Sequence, residues 1–108
     1  MKIDRYFKLA IDKKASDVHI VSGSSPTLRV AGQLIFIDKS IVPKGEVEAI
    51  AQELLNKAQL DRLQKERDMD IAYSFDSWRF RINFHFQRGV MGLAARLIPK
   101  QIPDPADL

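Results

Sequence analysis

A chain of 108 residues that is 45% hydrophobic and 29% charged is built like one folded domain around one core, too short for two independent cores and too apolar for wholesale disorder. Lys and Arg exceed Asp and Glu by 17 to 14, a net charge of +3, which permits a negatively charged partner without demanding one. With no cysteine and only two histidines, disulfides and thiolate metal sites are excluded, a structural zinc site is disfavoured and a reducing compartment fits.

No stretch is apolar for long enough to cross a membrane, and the charged N-terminus carries no signal-peptide core, so the default location is the cytoplasm. The opening segment, MKIDRYFKLAIDKK, sets Ile3, Phe7 and Ala10, with Ile11 at the margin, on a stripe opposite its lysines; this is the pattern of an amphipathic helix on a sheet. DVHIVSG alternates, with Val18 and Ile20 inward and Asp17 and His19 outward, then ends in the turn-rich SGSSP. TLRVAGQLIFID holds two further strands around Ala31-Gly32, where Gly32 supplies the positive φ of a tight hairpin.

After Pro43 the period changes. GEVEAIAQELLNKA places Val47, Ile50, Ala51, Leu54 and Leu55 on one helical stripe, with Glu46 and Glu48 in the first turn complementing the helix dipole. A shorter helix is expected in QLDRLQKER, with Leu60 and Leu63 inward and Arg62, Lys65, Glu66 and Arg67 on a solvated face. DMDIAYSF returns to period two, with Ile71, Tyr73 and Phe75 opposite Asp70, Ala72 and Ser74, and WRFRINFHFQ and VMGLAARLIP complete a second set of strands. Strand triplets on either side of a helical middle predict an α+β domain: a mostly antiparallel sheet of about six strands with helices packed on one face. A doubly wound parallel sheet is excluded by the missing β-α-β alternation. The tail PKQIPDPADL, rich in proline, reads as an exit linker from a chain that continues.

The most regular stretch is WRFRINFHFQRG, residues 78 to 89. Period two puts Arg79, Arg81, Asn83, His85 and Gln87 on one face and Phe80, Ile82, Phe84 and Phe86 on a core face. If Arg88 and Gly89 are the central residues of a hairpin turn, Gln87 opposes Val90, His85 opposes Gly92, Asn83 opposes Ala94 and Arg81 opposes Arg96. Like charges set opposite one another cost a sheet about 0.2–1 kcal/mol, and the small Gly92 and Ala94 leave room beside them for an anion. The bland alternative is that Asp68, Asp70 or another acid across the sheet neutralises Arg81 and Arg96, and that Arg79 and Arg88 are simply solvated.

His19 and His85 have no Ser, Cys or paired-carboxylate partner at a catalytic spacing. Neither G-x-x-x-x-G-K-[ST] nor G-x-G-x-x-G is present. Any phosphate contact is therefore accessory, by arginines lent to a site on a neighbouring domain or subunit.

ASDVHIVSGSSPTLRVAGQL, residues 15 to 34, resembles the opening signature of the secretion and type IV pilus traffic ATPases: A-S-D-hydrophobic-H, a proline, R-hydrophobic-x-G and another strand. DMDIAYSF, WRFRINFHFQRG and ARLIPKQIPDPADL are similar to consecutive motifs of the pilus retraction, or PilT-type twitching-motility, subgroup. The resemblance runs from residue 1 to 108 and stops where that family begins its nucleotide-binding domain.

The resemblance implies a PAS-like N-terminal domain at residues 1–99 and a linker at 100–108 toward a missing C-terminal RecA-like ATPase domain. The whole would be a homohexameric motor using ATP and Mg, its N-terminal domain closing over the nucleotide and packing on a neighbouring subunit. Carried over by motif, the nucleotide phosphate contacts fall to Arg81 and Arg96 first, then to Arg88 and Arg79. The Walker motifs, catalytic glutamate and histidine box of the family have no counterpart here, which implies no catalytic residue, metal site or cofactor in these residues and no ATPase activity without the rest of the chain. The implied partners are its own C-terminal domain, neighbouring subunits and, indirectly, an inner-membrane pilus platform protein, with the motor at the cytoplasmic face of that membrane.

A retraction motor is favoured over an extension or type II secretion motor by WRFRINFHFQRG. A nucleic-acid-binding sheet of the RRM kind is disfavoured, because there the aromatics share the exposed face with the basic residues, whereas here they alternate away from them. A PAS-type sensor would need a cavity between helices and sheet, and no residue marks a ligand there.

Overall fold

The computed structural model describes residues 1–37 and 41–99; the linker expected at 100–108 lies outside the described residues. The elements are α1 (Asp4–Asp12), β1 (Asp17–Val21), β2 (Thr27–Val30), β3 (Gln33–Phe36), α2 (Glu46–Leu54), α3 (Lys57–Glu66), β4 (Asp68–Phe75), β5 (Trp78–Gln87) and β6 (Val90–Pro99). The strands form one sheet in the order β3-β2-β1-β6-β5-β4, and every neighbouring pair is antiparallel. This is the expected α+β arrangement of six strands: two meanders joined at the centre of the sheet by β1 and β6.

Tight turns set the register. Arg88 and Gly89 have φ of 52° and 79°, and Ala31 and Gly32 have 50° and 80°. Two successive left-handed residues match the right-handed twist of the flanking strands. The β5–β6 pairing is therefore the one anticipated, Gln87 opposite Val90 and Arg81 opposite Arg96.

Alternation then fixes what faces what. Phe80, Ile82 and Phe84 of β5 are fully buried with Val18 and Ile20 of β1, Leu28 of β2 and Leu93 of β6. The same cluster contains Ile3, Phe7 and Ala10 at the first helix, Val47, Ile50 and Ala51 of α2, and Leu63 of α3. Phe7 lies flat on Phe80, with ring centroids 3.8 Å apart and planes 3° apart. All three helices thus cover one face and leave the other open.

The boundary between the middle helices departs from the sequence reading. α2 stops at Leu54, and Leu55 is extended, with φ −106° and ψ 143°. Asn56 then caps α3: its side chain accepts from the Gln59 backbone N–H at 2.8 Å, and the Gln59 side chain accepts from the Asn56 N–H at 2.9 Å. The helix expected through Ala58 is interrupted because asparagine favours the extended cap conformation, and this capping box satisfies two end donors at once. Removing it in Asn56→Ala should destabilise the domain by about 1 kcal/mol, measured as a lower denaturant midpoint at unchanged slope.

Two tyrosines tie the elements together. The Tyr6 hydroxyl donates to the Glu46 carboxylate at the start of α2, which also accepts from Arg5 at 3.0 Å. The Tyr73 hydroxyl donates to Asp4 Oδ1 at 2.8 Å, joining β4 to α1. Burial first, then the hydrogen bond to Glu46 and its charge, push the Tyr6 hydroxyl up to about 12; burial, then Asp4, do the same for Tyr73, also to about 12. The unfolded chain loses these protons near pH 10, so the stability they contribute is complete below that pH and disappears as pH rises toward about 12. Spectrophotometric titration should find neither of the two tyrosines ionised at a pH where both ionise in denaturant.

Candidate functional site

The open face is read most easily in rows across the sheet. Arg81 is opposite Arg96, Arg96 is opposite Asp17, and Asp17 is opposite Arg29. The row ends on Leu34 of β3 and Ala72 of β4. It therefore holds three arginines and one aspartate.

The contacts within this row divide the arginines. Arg96 Nε donates to Asp17 Oδ1 at 3.4 Å, and Arg29 Nε lies 3.9 Å from Asp17 Oδ2. Arg29 also donates through Nη1 to the Gly32 carbonyl at 3.2 Å, and Ser16 Oγ donates to Asp17 Oδ2 at 2.7 Å. Arg81 is exposed and forms no ion pair among the described residues. The neutralising alternative therefore holds in part for Arg96 and not for Arg81. The acid is not Asp68 or Asp70: those lie opposite His85 and Asn83, and both accept from Asn83 Nδ2, at 2.6 and 3.1 Å. Since the Arg96 side chain is 74% exposed, its pair with Asp17 belongs to a class that contributes only about 0–1 kcal/mol.

Arg79 shares the face two residues from Arg81, opposite Ile98 and Ser74. Arg88 does not join the group. It occupies the β5–β6 turn, and at about 3.3 Å per residue it lies over 20 Å along the strand from Arg81. The room expected beside His85 is also taken: a Cβ on Gly92 would stand 3.0 Å from Val21 Cγ2 and 3.2 Å from His85 Nε2. His85 instead belongs to a side-chain network, its Nδ1 lying 3.0 Å from Asn83 Oδ1. The usable space is one row further on, a shallow depression of about 380 Å³ over Ala94, bordered by Asp17, His19, Arg81, Asn83 and Arg96.

Arg29 was not singled out from the sequence. The available signal was strand phase, because Leu28 next to it points inward. The assembled row suits the binding of a multiply charged anion, since planar guanidinium forks match phosphate oxygens and stay charged at any working pH. No cluster of three or more metal-binding side chains occurs among the described residues.

No protein-family model matches the chain. It is 24% identical over 109 aligned positions to the type IV pilus ATPase PilU of Pseudomonas aeruginosa, covering 100% of this chain and 28% of PilU. It is 25% identical over 103 positions to the type IV pilus retraction ATPase PilT of the same organism, covering 94% of this chain and 30% of PilT. The crystal structure of the pilus retraction motor PilT with bound ADP matches with a TM-score of 0.83 at 28% identity, over 96% of this chain and 31% of that one. The chain fits an N-terminal domain of a PilT-type secretion ATPase.

The fold also matches that of the Legionella pneumophila ATPase DotB, with a TM-score of 0.77 at 24% identity over 90% of this chain and 28% of that one. The domain spans under a third of the length of the curated relatives it matches. No helix among its described residues is long and apolar enough to cross a membrane.

Proposed function

We propose that residues 1–99 are the PAS-like N-terminal domain of a longer homohexameric motor ATPase of the pilus retraction or secretion kind. In this reading, residues 100–108 lead to a C-terminal RecA-like domain that binds and hydrolyses ATP with Mg. The N-terminal domain closes over that nucleotide and turns its open face toward the phosphates. Arg81 and Arg96 contact them directly and Arg79 stands beside them, while Arg88 sits apart in the β5–β6 turn. Closure and release then couple hydrolysis to movement between subunits.

The observation that carries the proposal is the directly opposed Arg81 and Arg96 on the uncovered face of a domain whose fold matches a PilT motor with bound ADP. Two guanidinium groups abreast repel one another, and an anion bridging them relieves that repulsion. Burial of Phe80, Ile82 and Phe84 denies the basic side of β5 a stacking platform, which favours the phosphate reading over a nucleic-acid one. The partners follow: the C-terminal domain, neighbouring subunits and, indirectly, an inner-membrane pilus platform protein, with the motor at the cytoplasmic side of the membrane. ATP turnover by the full-length protein tests the reading. A loss in both Arg81→Ala and Arg96→Ala with the fold intact supports it; unchanged turnover in both removes the phosphate role.

A further inference from the structure

Resting on that reading of the open face, we propose that Asp17 is a resident competitor for the arginine row. Its carboxylate occupies Arg96 and Arg29 until a multiply charged phosphate takes its place, so the site fills only when such a ligand is presented. Asp17 is the one acid in the row, and both its oxygens are engaged, Oδ1 by Arg96 Nε at 3.4 Å and Oδ2 by Ser16 at 2.7 Å with Arg29 Nε at 3.9 Å.

The partners differ in how firmly they are held. The Asp17 side chain is only 18% exposed, against 43% for Arg29 and 74% for Arg96. Arg29 has its second anchor in the Gly32 carbonyl, which leaves Arg96 as the partner able to swing. Asp17 meets the Nε edge of Arg96, the edge through which a guanidinium grips an oxyanion side-on with two parallel bonds. A phosphate demands the same edge and carries more charge, so it displaces the carboxylate and brings Arg96 toward Arg81. A positioning role fits less well, because one long contact to a largely exposed side chain fixes no rotamer.

The test is a calorimetric or NMR titration of the full chain, whose core closes within its own described residues, with inorganic tripolyphosphate as probe. Asp17→Asn should bind it roughly three- to tenfold more tightly than the wild type, the range set by one or two exposed ion pairs. Asp70→Asn makes the same change of charge on the same face, at an acid bonded to Asn83 rather than paired with an arginine, and should gain clearly less. Unchanged or weaker binding in Asp17→Asn, or equal gains in the two variants, overturns the proposal. Asp17→Ser should reproduce the gain and carries the test if thermal unfolding shows that the asparagine variant misfolds. Arg81→Ala separates the two layers. If it weakens binding while neutralising Asp17 brings no gain, only the competitor role fails; if the wild type binds and Arg81→Ala binds equally well, the phosphate reading fails and the competitor role with it; if neither the wild type nor Asp17→Asn binds, the competitor role fails and the phosphate reading stands or falls on the turnover assay.

Discussion

Full-length protein carrying Arg81→Ala or Arg96→Ala should turn over ATP about 10²-fold or more slowly than the wild type, the scale on which a preorganised charge aimed at a transferring phosphoryl group acts. The domain itself should stay folded. Both side chains are exposed, and surface changes of this kind normally stay within about 0.5 kcal/mol. Arg81→Ala should even stabilise the isolated domain slightly, because it removes one of two like charges directly opposed across a ladder. Arg96→Ala also removes the contact with Asp17, so its gain should be smaller. A steady-state ATPase assay beside a thermal melt reads both quantities. A turnover loss that merely tracks a loss of folded protein would assign the arginines to stability instead.

The largest effect on stability should come from Phe80→Ala, at about 3–5 kcal/mol. Phe80 is fully buried at the centre of the core and stacked on Phe7 from the first helix, so truncation leaves a void that close-packed neighbours fill only in part. A domain of this size has about 5–15 kcal/mol of stability in total, so the variant should be largely unfolded on mild heating. Its neighbour Arg79→Ala, one residue away on the opposite face, should be nearly neutral. Denaturant midpoints for the pair measure the division between the two faces of β5, and similar losses would contradict it.

The arginine pair is legible in the sequence because two local rules are enough: alternation puts Arg81 outward, and the Arg88-Gly89 turn fixes its partner. What escaped the sequence depended on non-local pairing. Asp17 meets Arg96 only because β1 and β6 lie side by side at the middle of the sheet, and no rule of period or turn brings strands from opposite ends of the chain together. Arg29 was overlooked for the same reason, since its relation to the row passes through Asp17. The space over Gly92 is not legible in the sequence, because a missing side chain there is no missing occupant: Val21 from β1 and His85 fill it. The early stop of α2 was legible in principle. Asn56 and Gln59 spell a capping box, but the apolar stripe that runs up to Leu55 masks the break just before it.

The central pairing of β1 with β6 has a consequence for how the molecule is made. Asp17 and Arg96 are 79 positions apart, and closing so long a loop loses chain entropy before any contact can reward it. The first meander and the last can each form early, but each then presents a bare strand edge that only the other should cover. Folding should therefore be slow for so small a domain, and during synthesis it must wait until β6 has left the ribosome.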